Sequence, residues 1–419
     1  MKRDDLDAPQ SRKRVLFLVE NLPSPFDRRV WQEATTLQEN GYQVSIICPT
    51  GRDCEKRFEV ISCIHIYRYR LPVEAEGARG YLVEYVAALF CTFRLSHRVF
   101  CTRGFDVIHA CNPPDLLFLI AGFYKLFFGK KFVFDHHDIN PELYEAKFGK
   151  RDFIYRVLVL LERWTFRVAD MSIATNASYR SIATGRGGMA AQRVHVVRSG
   201  PKLDRMRRGP AVPALKKGRA FLVGYVGVMG AQEGIDLLLQ AAHHIVHVLR
   251  RDDVHFGLVG GGTALARMEQ MAAEQNIATH VTFTGRVSDA EMLAMLNTAD
   301  VCVNPDIANE MNDKSTMNKI MEYMALGKPI VQFDLTEGRV SAQEASLYAR
   351  RNDPVDLACK IIELLDDPSR RTAMGNHGRR RVENELEWKY EAPKLLRAYA
   401  SLFAAPAAND KRADRRLKI

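Results

Sequence analysis

The chain has 419 residues and a formal net charge of +10, from 60 Lys and Arg against 50 Asp and Glu. With 47% hydrophobic and 26% charged residues it has the composition of a folded globular protein, which excludes disordered and fibrous classes. Its eight cysteines are too sparse for a disulfide scaffold, and none forms a C-x-x-C pair or a Cys/His set with zinc spacing.

Length alone predicts two or three domains. The opening MKRDDLDAPQSRKR has no apolar stretch and does not read as a secretory signal. Residues 14–19 read as a buried strand, 31–39 as a helix ending at Asn40-Gly41, and 43–48 as a strand stopped by Pro49-Thr50-Gly51. The apolar runs 81–100 and 116–128 are broken by charges, so no membrane span is expected. Residues 105–110 form the next predicted strand, followed by Pro113-Pro114 and a helix from Asp115; strands at 131–135, 169–174 and 193–197 complete the first half. Residues 199–219, rich in Pro, Gly and basic side chains and without a hydrophobic period, read as a linker. The alternation then restarts. Strands are predicted at 221–226, 254–259, 281–284, 301–304 and 330–333, and helices at 235–248, 264–275, 289–297 and 319–326. A last helix is predicted at 386–403. Strands alternating with helices predict doubly wound α/β domains on parallel sheets. The boundaries are 1–200, a linker at 201–219, 220–385, and 386–419 as a helix with a basic tail.

No P-loop is present, and no G-x-G-x-x-G follows a strand with an acidic residue at the required offset. Two Gly-rich turns do follow strands, one from Gly227 to Gly230 and one holding Gly260, Gly261 and Gly262. Each permits a backbone to approach a phosphate at a helix N-terminus, and each is equally explained as a tight turn without ligand. In NDKSTMNKIMEYMALGKPIVQ, Lys319 and Glu322 are i,i+3 and share a helix face: a cation for a phosphate beside an acceptor for ribose hydroxyls. His136 adjoins His137, and one of the pair is expected to face a ligand. His243, His244 and His247 lie at helical spacing and read as a helix surface rather than a metal patch. Asp27-Arg28-Arg29 reads either as an acceptor-binding loop or as the charged start of a helix. Without a D-x-D pair near a strand end, a divalent-metal donor site is not indicated. LLFLIAGFYKLFFGKK reads as a sheet-covering helix, with a membrane-surface helix as the alternative. Cysteines inside apolar runs, such as Cys48 and Cys302, predict buried thiols and a cytoplasmic protein.

KIMEYMALGKPIV resembles the donor-site helix of family-four glycosyltransferases, which have the GT-B fold of two Rossmann-like domains facing a cleft. VGYVGVMGAQEGIDLLLQAA, FGLVGGGTALARMEQMA and VTFTGRVSDAEMLAMLNTADVCVNP are similar, in order, to the family's donor-phosphate turn, Gly-rich segment and base-binding segment. In the first half, FVFDHHDINPELYE resembles the motif with the catalytic-pocket His, and VLFLVENLPSPFDRRVWQEATTLQENGYQVSIICP the opening strand, acceptor loop and helix. The resemblance implies a retaining, metal-independent transferase without a cofactor, whose expected donor is a UDP-sugar carrying N-acetylglucosamine, glucose or galactose. It implies that Glu322 binds the ribose, His137 faces the donor sugar and Gly227 lets the turn approach the diphosphate. Arg286 and Val287 would hold the base through backbone, and Lys319 would partner the diphosphate. Asp27 and Arg28 fall in the acceptor loop. The implied acceptor is a polyprenyl-diphosphate-linked glycan at the inner membrane face, in exopolysaccharide, O-antigen or capsule assembly.

The chain also departs from the family pattern. Lys314 stands where a first glutamate is usual, and Val228 and Glu233 stand where the turn usually carries Arg and Lys. Lys314 or Lys319 and helix N-termini are the expected replacements for the cations, and Glu310 or Asp313 for the carboxylate. Two alternatives remain at this stage: a UDP-sugar 2-epimerase on the same fold, and a non-enzymatic basic protein that binds membranes or nucleic acid. Scattered charge without interleaved aromatics argues against nucleic acid, while anionic lipid would attract the basic surface.

Overall fold

A computed structural model of the protein describes residues 13–51, 53–70 and 77–404. The basic runs at 2–3 and 411–418 lie outside the described residues. The chain divides into two compact units: Met1–Asn140 with Val157–Val197 and Ala392–Ile419, and Pro141–Arg156 with Arg198–Glu391.

In chain order the elements up to residue 196 are β1 (Arg14–Leu18), α1 (Arg28–Glu39), β2 (Gln43–Pro49), β3 (Phe58–Ile61), β4 (Ile64–Tyr69), α2 (Gly77–Thr102), β5 (Val107–Cys111), α3 (Phe118–Phe128), β6 (Lys131–His136), α4 (Asn140–Phe148), α5 (Phe153–Val168), β7 (Met171–Ala174), α6 (Ala177–Thr184) and β8 (Val194–Val196). They build one eight-stranded sheet in the order β3-β4-β2-β1-β5-β6-β7-β8. Every neighbouring pair is parallel except β3 with β4. The parallel strands are continuous apolar runs because helices cover both faces. Sequence analysis did not anticipate the β3–β4 hairpin. Its two-residue turn places Ser62 at φ 51° and Cys63 at φ 62°, so a left-handed turn that Asn-Gly or Gly-Gly would announce is made by residues that give no such signal. Helix α3 buries Ile120, Ala121 and Tyr124 on the sheet and leaves Leu126 77% and Phe127 66% exposed, so the sheet-covering helix also carries an apolar outer face.

A charged network lies inside this first unit. Asp27 caps α1 by accepting from Val30 N at 3.2 Å, and Arg29 points inward from the first turn. Its Nη2 is 2.9 Å from both Asp135 Oδ1 and Glu33 Oε1, and its Nη1 donates to Val197 O at 3.0 Å. His109 Nε2 lies 3.3 Å from Glu33 Oε2 and from Asp135 Oδ2, its Nδ1 is 2.7 Å from the Tyr399 hydroxyl, and its ring stacks on Phe17. All of these side chains are buried. Burial pushes Glu33 well above the usual carboxylate range despite Arg29. Burial acts the same way on Asp135, but Arg29 and His137 outweigh it and hold that carboxyl well below. One carboxyl therefore keeps its proton and the other carries the charge that Arg29 neutralises.

The remaining elements are β9 (Phe221–Val226), α7 (Ile235–His243), β10 (Val254–Val259), α8 (Leu265–Glu274), β11 (Val281–Phe283), α9 (Asp289–Thr298), β12 (Val301–Asn304), α10 (Glu310–Lys314), α11 (Asn318–Ala325), β13 (Ile330–Phe333), α12 (Thr336–Ala342), β14 (Ser346–Ala349), α13 (Pro354–Leu365), α14 (Pro368–Arg381) and α15 (Trp388–Phe403). The second sheet has six strands in the order β11-β10-β9-β12-β13-β14, all parallel. Helix α13 starts on the Asp353 cap with Pro354 in its first turn and buries Leu357, Ile361 and Leu364 against the core. Each such side chain contributes about 1.5–3 kcal/mol. His243 Nδ1 and His247 Nε2 donate to the carbonyls of Gln275 and Asn276, 3.2 and 3.3 Å away.

Residues 201–219 are not a free linker. Met206 is fully buried among Leu222, Met292 and Tyr323, Arg208 Nε donates to Leu326 O at 3.2 Å, and Lys216 pairs with Asp300 at 2.8 Å. The segment lacks a hydrophobic period because it is held by long basic side chains that satisfy carbonyls and carboxylates of the second unit.

Replacing Arg29 with Leu removes the guanidinium that pairs with the buried Asp135 and leaves it only the rings of His109 and His137. We expect a loss of about 3–5 kcal/mol in chemical denaturation. A second expectation concerns acid. His255 is buried, with Nε2 2.8 Å from Thr282 Oγ1 and Nδ1 without a partner. Burial, with Arg219 and Lys217 adding, pushes it down from 6.5 to about 4. The unfolded chain then binds this proton first, so the stability is present above about pH 6.5 and is lost as pH falls toward 4. The midpoint of unfolding should drop between pH 6.5 and 5, before most carboxylates titrate, and His255→Gln should flatten that drop.

Candidate active site

The second unit brings three strand ends together through backbone. Gly227 N donates to Val259 O at 3.0 Å, Met229 N to Gly261 O at 2.9 Å, and Ala264 N to Met229 O at 3.0 Å. Gly260 N donates to Gly285 O at 3.0 Å, just before Arg286. The two Gly-rich turns are thus stitched to each other and to the segment after β11. Gly260 has φ +130°, and a Cβ there would lie 1.9 Å from Gly227 O. A Cβ on Gly227 would meet the Tyr225 hydroxyl at 2.5 Å and Lys319 Nζ at 3.5 Å. Gly230 is extended and leads into the short turn before α7, and a Cβ on Gly261 would lie 3.9 Å from Arg286 N. Arg286 is exposed, and Val287 packs on the core beneath α9.

Helix α11 supplies the side chains. Glu322 Oε1 accepts from Arg205 Nη1 at 3.2 Å, and the same guanidinium reaches Asp289 Oδ2 at 2.9 Å. Arg205 therefore ties the carboxylate of α11 to the first residue of α9, which follows Arg286, Val287 and the Ser288 cap. One turn earlier, Lys319 Nζ lies 2.8 Å from Asp306 Oδ1 and 3.0 Å from Glu233 Oε2, and 5.0 Å from the centre of the Tyr225 ring. Burial lowers the lysine, but Asp306 and its neighbours outweigh that and hold it well above its usual value. Burial, with Glu233 adding and Lys319 opposing, pushes Asp306 up to about 7. The structure thus places a carboxylate, not a cation, at Glu233, and Lys319 answers it.

Lys314 pairs with Glu310 at 2.5 Å, and Asp313 accepts from Thr336 N at 3.0 Å and pairs with Arg351 at 2.8 Å. Glu310 and Asp313 thus pair with Lys314 and Arg351, while the carboxylates beside Lys319 are Glu233 and Asp306. Asp306, Arg205 and Tyr225 belong to this group without being expected from the sequence. The only available signal was Pro305-Asp306 directly after a predicted strand.

In the first unit, His136 is fully buried among Phe134, Phe166 and Tyr179, with Nε2 3.6 Å from Glu162. His137 is the partly exposed one. Its Nε2 lies 2.5 Å from Asp135 Oδ2 and 2.9 Å from Arg29 Nε, and its backbone N–H donates to Asn112 Oδ1 at 2.7 Å. Asn112 also receives Asp138 N at 3.1 Å and donates to Asp115 Oδ1 at 3.0 Å, which fixes the loop after β6. Asp27 serves as the α1 cap, while Arg28 is exposed. His109, Cys111 and Asp135 lie close enough together to hold a metal ion, but Arg29 already neutralises Asp135, so a cation there would displace the guanidinium.

Comparison with known proteins agrees with this arrangement. Residues 27–205 match the family described as Glycosyltransferase Family 4, and residues 220–367 the family described as Glycosyl transferases group 1. The 2-deoxystreptamine glucosyltransferase of Streptomyces kanamyceticus is 28% identical over 58% of this chain. That match takes in 63% of the relative, less than two thirds of its length. The MMP alpha-(1->4)-mannosyltransferase of Mycolicibacterium hassiacum is 24% identical over 89% of this chain and 93% of its own. Among solved structures, Anabaena HepE in complex with UDP and glucose superposes with a TM-score of 0.70 at 15% identity, covering 93% of this chain and 100% of that one. Two parallel-sheet Rossmann-like units in this order are the GT-B fold, and the chain belongs to the family-four glycosyltransferases.

Proposed function

We propose that this chain transfers a sugar from a nucleotide-sugar donor, a UDP-sugar, to a polyprenyl-diphosphate-linked glycan in surface polysaccharide assembly, with retention at the anomeric carbon. The observation that carries this reading is the set of backbone-stitched Gly turns with Lys319 beneath them and Glu322 one helical turn away. The turns let a diphosphate approach main-chain N–H groups at the start of α7. Glu322 would accept from the ribose hydroxyls, and the segment at Arg286 and Val287 would hold the base. HepE, solved with UDP and glucose, supports a uridine donor. His137, braced at Nε2 by Asp135, is assigned to the donor sugar.

Charge grows on the departing diphosphate in the transition state, so groups aimed at that position contribute most. Lys319 supplies the ammonium, and no resident metal is proposed because that ammonium already occupies the space between Asp306 and Glu233. Glucosyl and mannosyl relatives keep hexosyl transfer the favoured class. Among the described residues no helix is long and apolar enough to cross a membrane. Contact with the inner membrane face of the cytoplasm is proposed instead through the outer face of α3, where Leu126 and Phe127 are exposed beside Lys125 and Lys130.

A panel of UDP-glucose, UDP-galactose, UDP-N-acetylglucosamine and GDP-mannose, read by thermal shift and product formation, tests the donor; a saturating ligand should raise apparent stability by about 2–4 kcal/mol. Glu322→Ala leaves Arg205 paired with Asp289, so the fold should hold while transfer falls about 10–100-fold. Full activity in that variant would remove the assignment. With Asp306 protonated, the group of Lys319, Glu233 and Asp306 is neutral; above about pH 7 it gains a negative charge facing the diphosphate. The kcat/KM should therefore decline above about pH 7, and Asp306→Asn should shift or abolish that decline.

A further inference from the structure

The first unit holds a cavity that the donor site does not use. It lies between the β3–β4 hairpin and the C-terminal half of α2 and has a volume of about 640 Å³. Arg57, Arg70, Arg94, Arg98 and Arg103 line it, and among the described residues none of these has an acidic partner. Arg94 and Arg98 are i,i+4 on α2, a spacing at which like charges repel. Arg68, also in the wall, is buried; Glu59 and the carbonyls of Ser24 and Lys56 hold its ends, but its Nε has no partner. The exposed Phe58 ring and Tyr67, whose centroids are 5.0 Å apart, also line it. A concave site with several unneutralised guanidinium groups and one apolar wall has the chemistry of a phosphate receptor, since guanidinium forks match phosphate oxygens in pairs.

We propose that this cavity binds the phosphate or diphosphate group of a phosphorylated ligand, with Arg94 and Arg98 as its principal contacts and the Phe58–Tyr67 wall taking the ligand's apolar part. A dissolved ligand and a lipid headgroup would share these contacts, and the test below separates the two sources. The site is built wholly from the first unit and does not depend on the donor assignment.

The test uses the full chain and inorganic pyrophosphate. Hydrogen exchange with and without pyrophosphate should show protection in residues 57–70 and 91–103, and this protection should persist in Glu322→Ala. Both arginines are exposed on a helix, so Arg94→Ala/Arg98→Ala should fold; it should weaken pyrophosphate binding at least about tenfold. In a second arm, vesicles of phosphatidylcholine with and without phosphatidylglycerol are sedimented with both proteins. Binding to anionic vesicles that pyrophosphate displaces, and that the double variant loses, assigns the site to a headgroup. Pyrophosphate protection without such vesicle binding assigns it to a dissolved ligand. No protection in either segment, or pyrophosphate binding unchanged in the double variant, overturns the proposal.

Discussion

The first unit depends on one buried guanidinium. Arg29 is the cation that lets Asp135 stay charged in the core, and Asp135 in turn braces the ring of His137. Taking two charges out of water costs several kcal/mol per ion unless geometry and further hydrogen bonds repay it. Here the repayment comes from several elements at once: α1 supplies Arg29 and Glu33, β5 supplies His109, β6 supplies Asp135, and the carbonyl of Val197 closes the set. The partition of protons, with Glu33 neutral and Asp135 ionised, keeps one positive and one negative charge in close contact rather than two negatives around one positive.

The second unit solves a related problem differently. Where the family's turn usually has cations, this chain has Val228 and Glu233, and Lys319 answers from α11 with Asp306 as a further partner. The ammonium is fixed in place, but its charge is shared between two carboxylates. Main-chain N–H groups of the stitched turns then take a larger part in meeting an anionic ligand, and the protonation of Asp306 sets how much of the lysine's charge remains to act.

What the sequence made legible was local. Buried parallel strands such as Val15 to Leu18 and Val254 to Val259 announce themselves as apolar runs, and α11 announces itself through its Gly327-Lys328-Pro329 exit. Capping at Asp27 was visible as a charged helix start. The rest was hidden by distance or by silent residues. Arg29 meets Asp135 across 106 positions, Arg205 meets Glu322 across 117, and Lys319 meets Glu233 across 86, so no spacing rule links them. The hairpin at Ser62 and Cys63 carries no glycine, and residues 201–219 anchor through arginines and lysines that on paper look solvated.

The hydrogen bond between His109 and Tyr399 joins residues 290 positions apart, and everything between 198 and 391 belongs to the other unit. At about 5–20 residues per second of synthesis, His109 waits roughly 15–60 s on the ribosome before its partner exists. The later-made unit is complete in sequence first, and the earlier-made one lacks Tyr399 until after residue 391. The interior around His109 is therefore half built until the last helix emerges, and a truncation that removes α15 takes Tyr399 from it permanently.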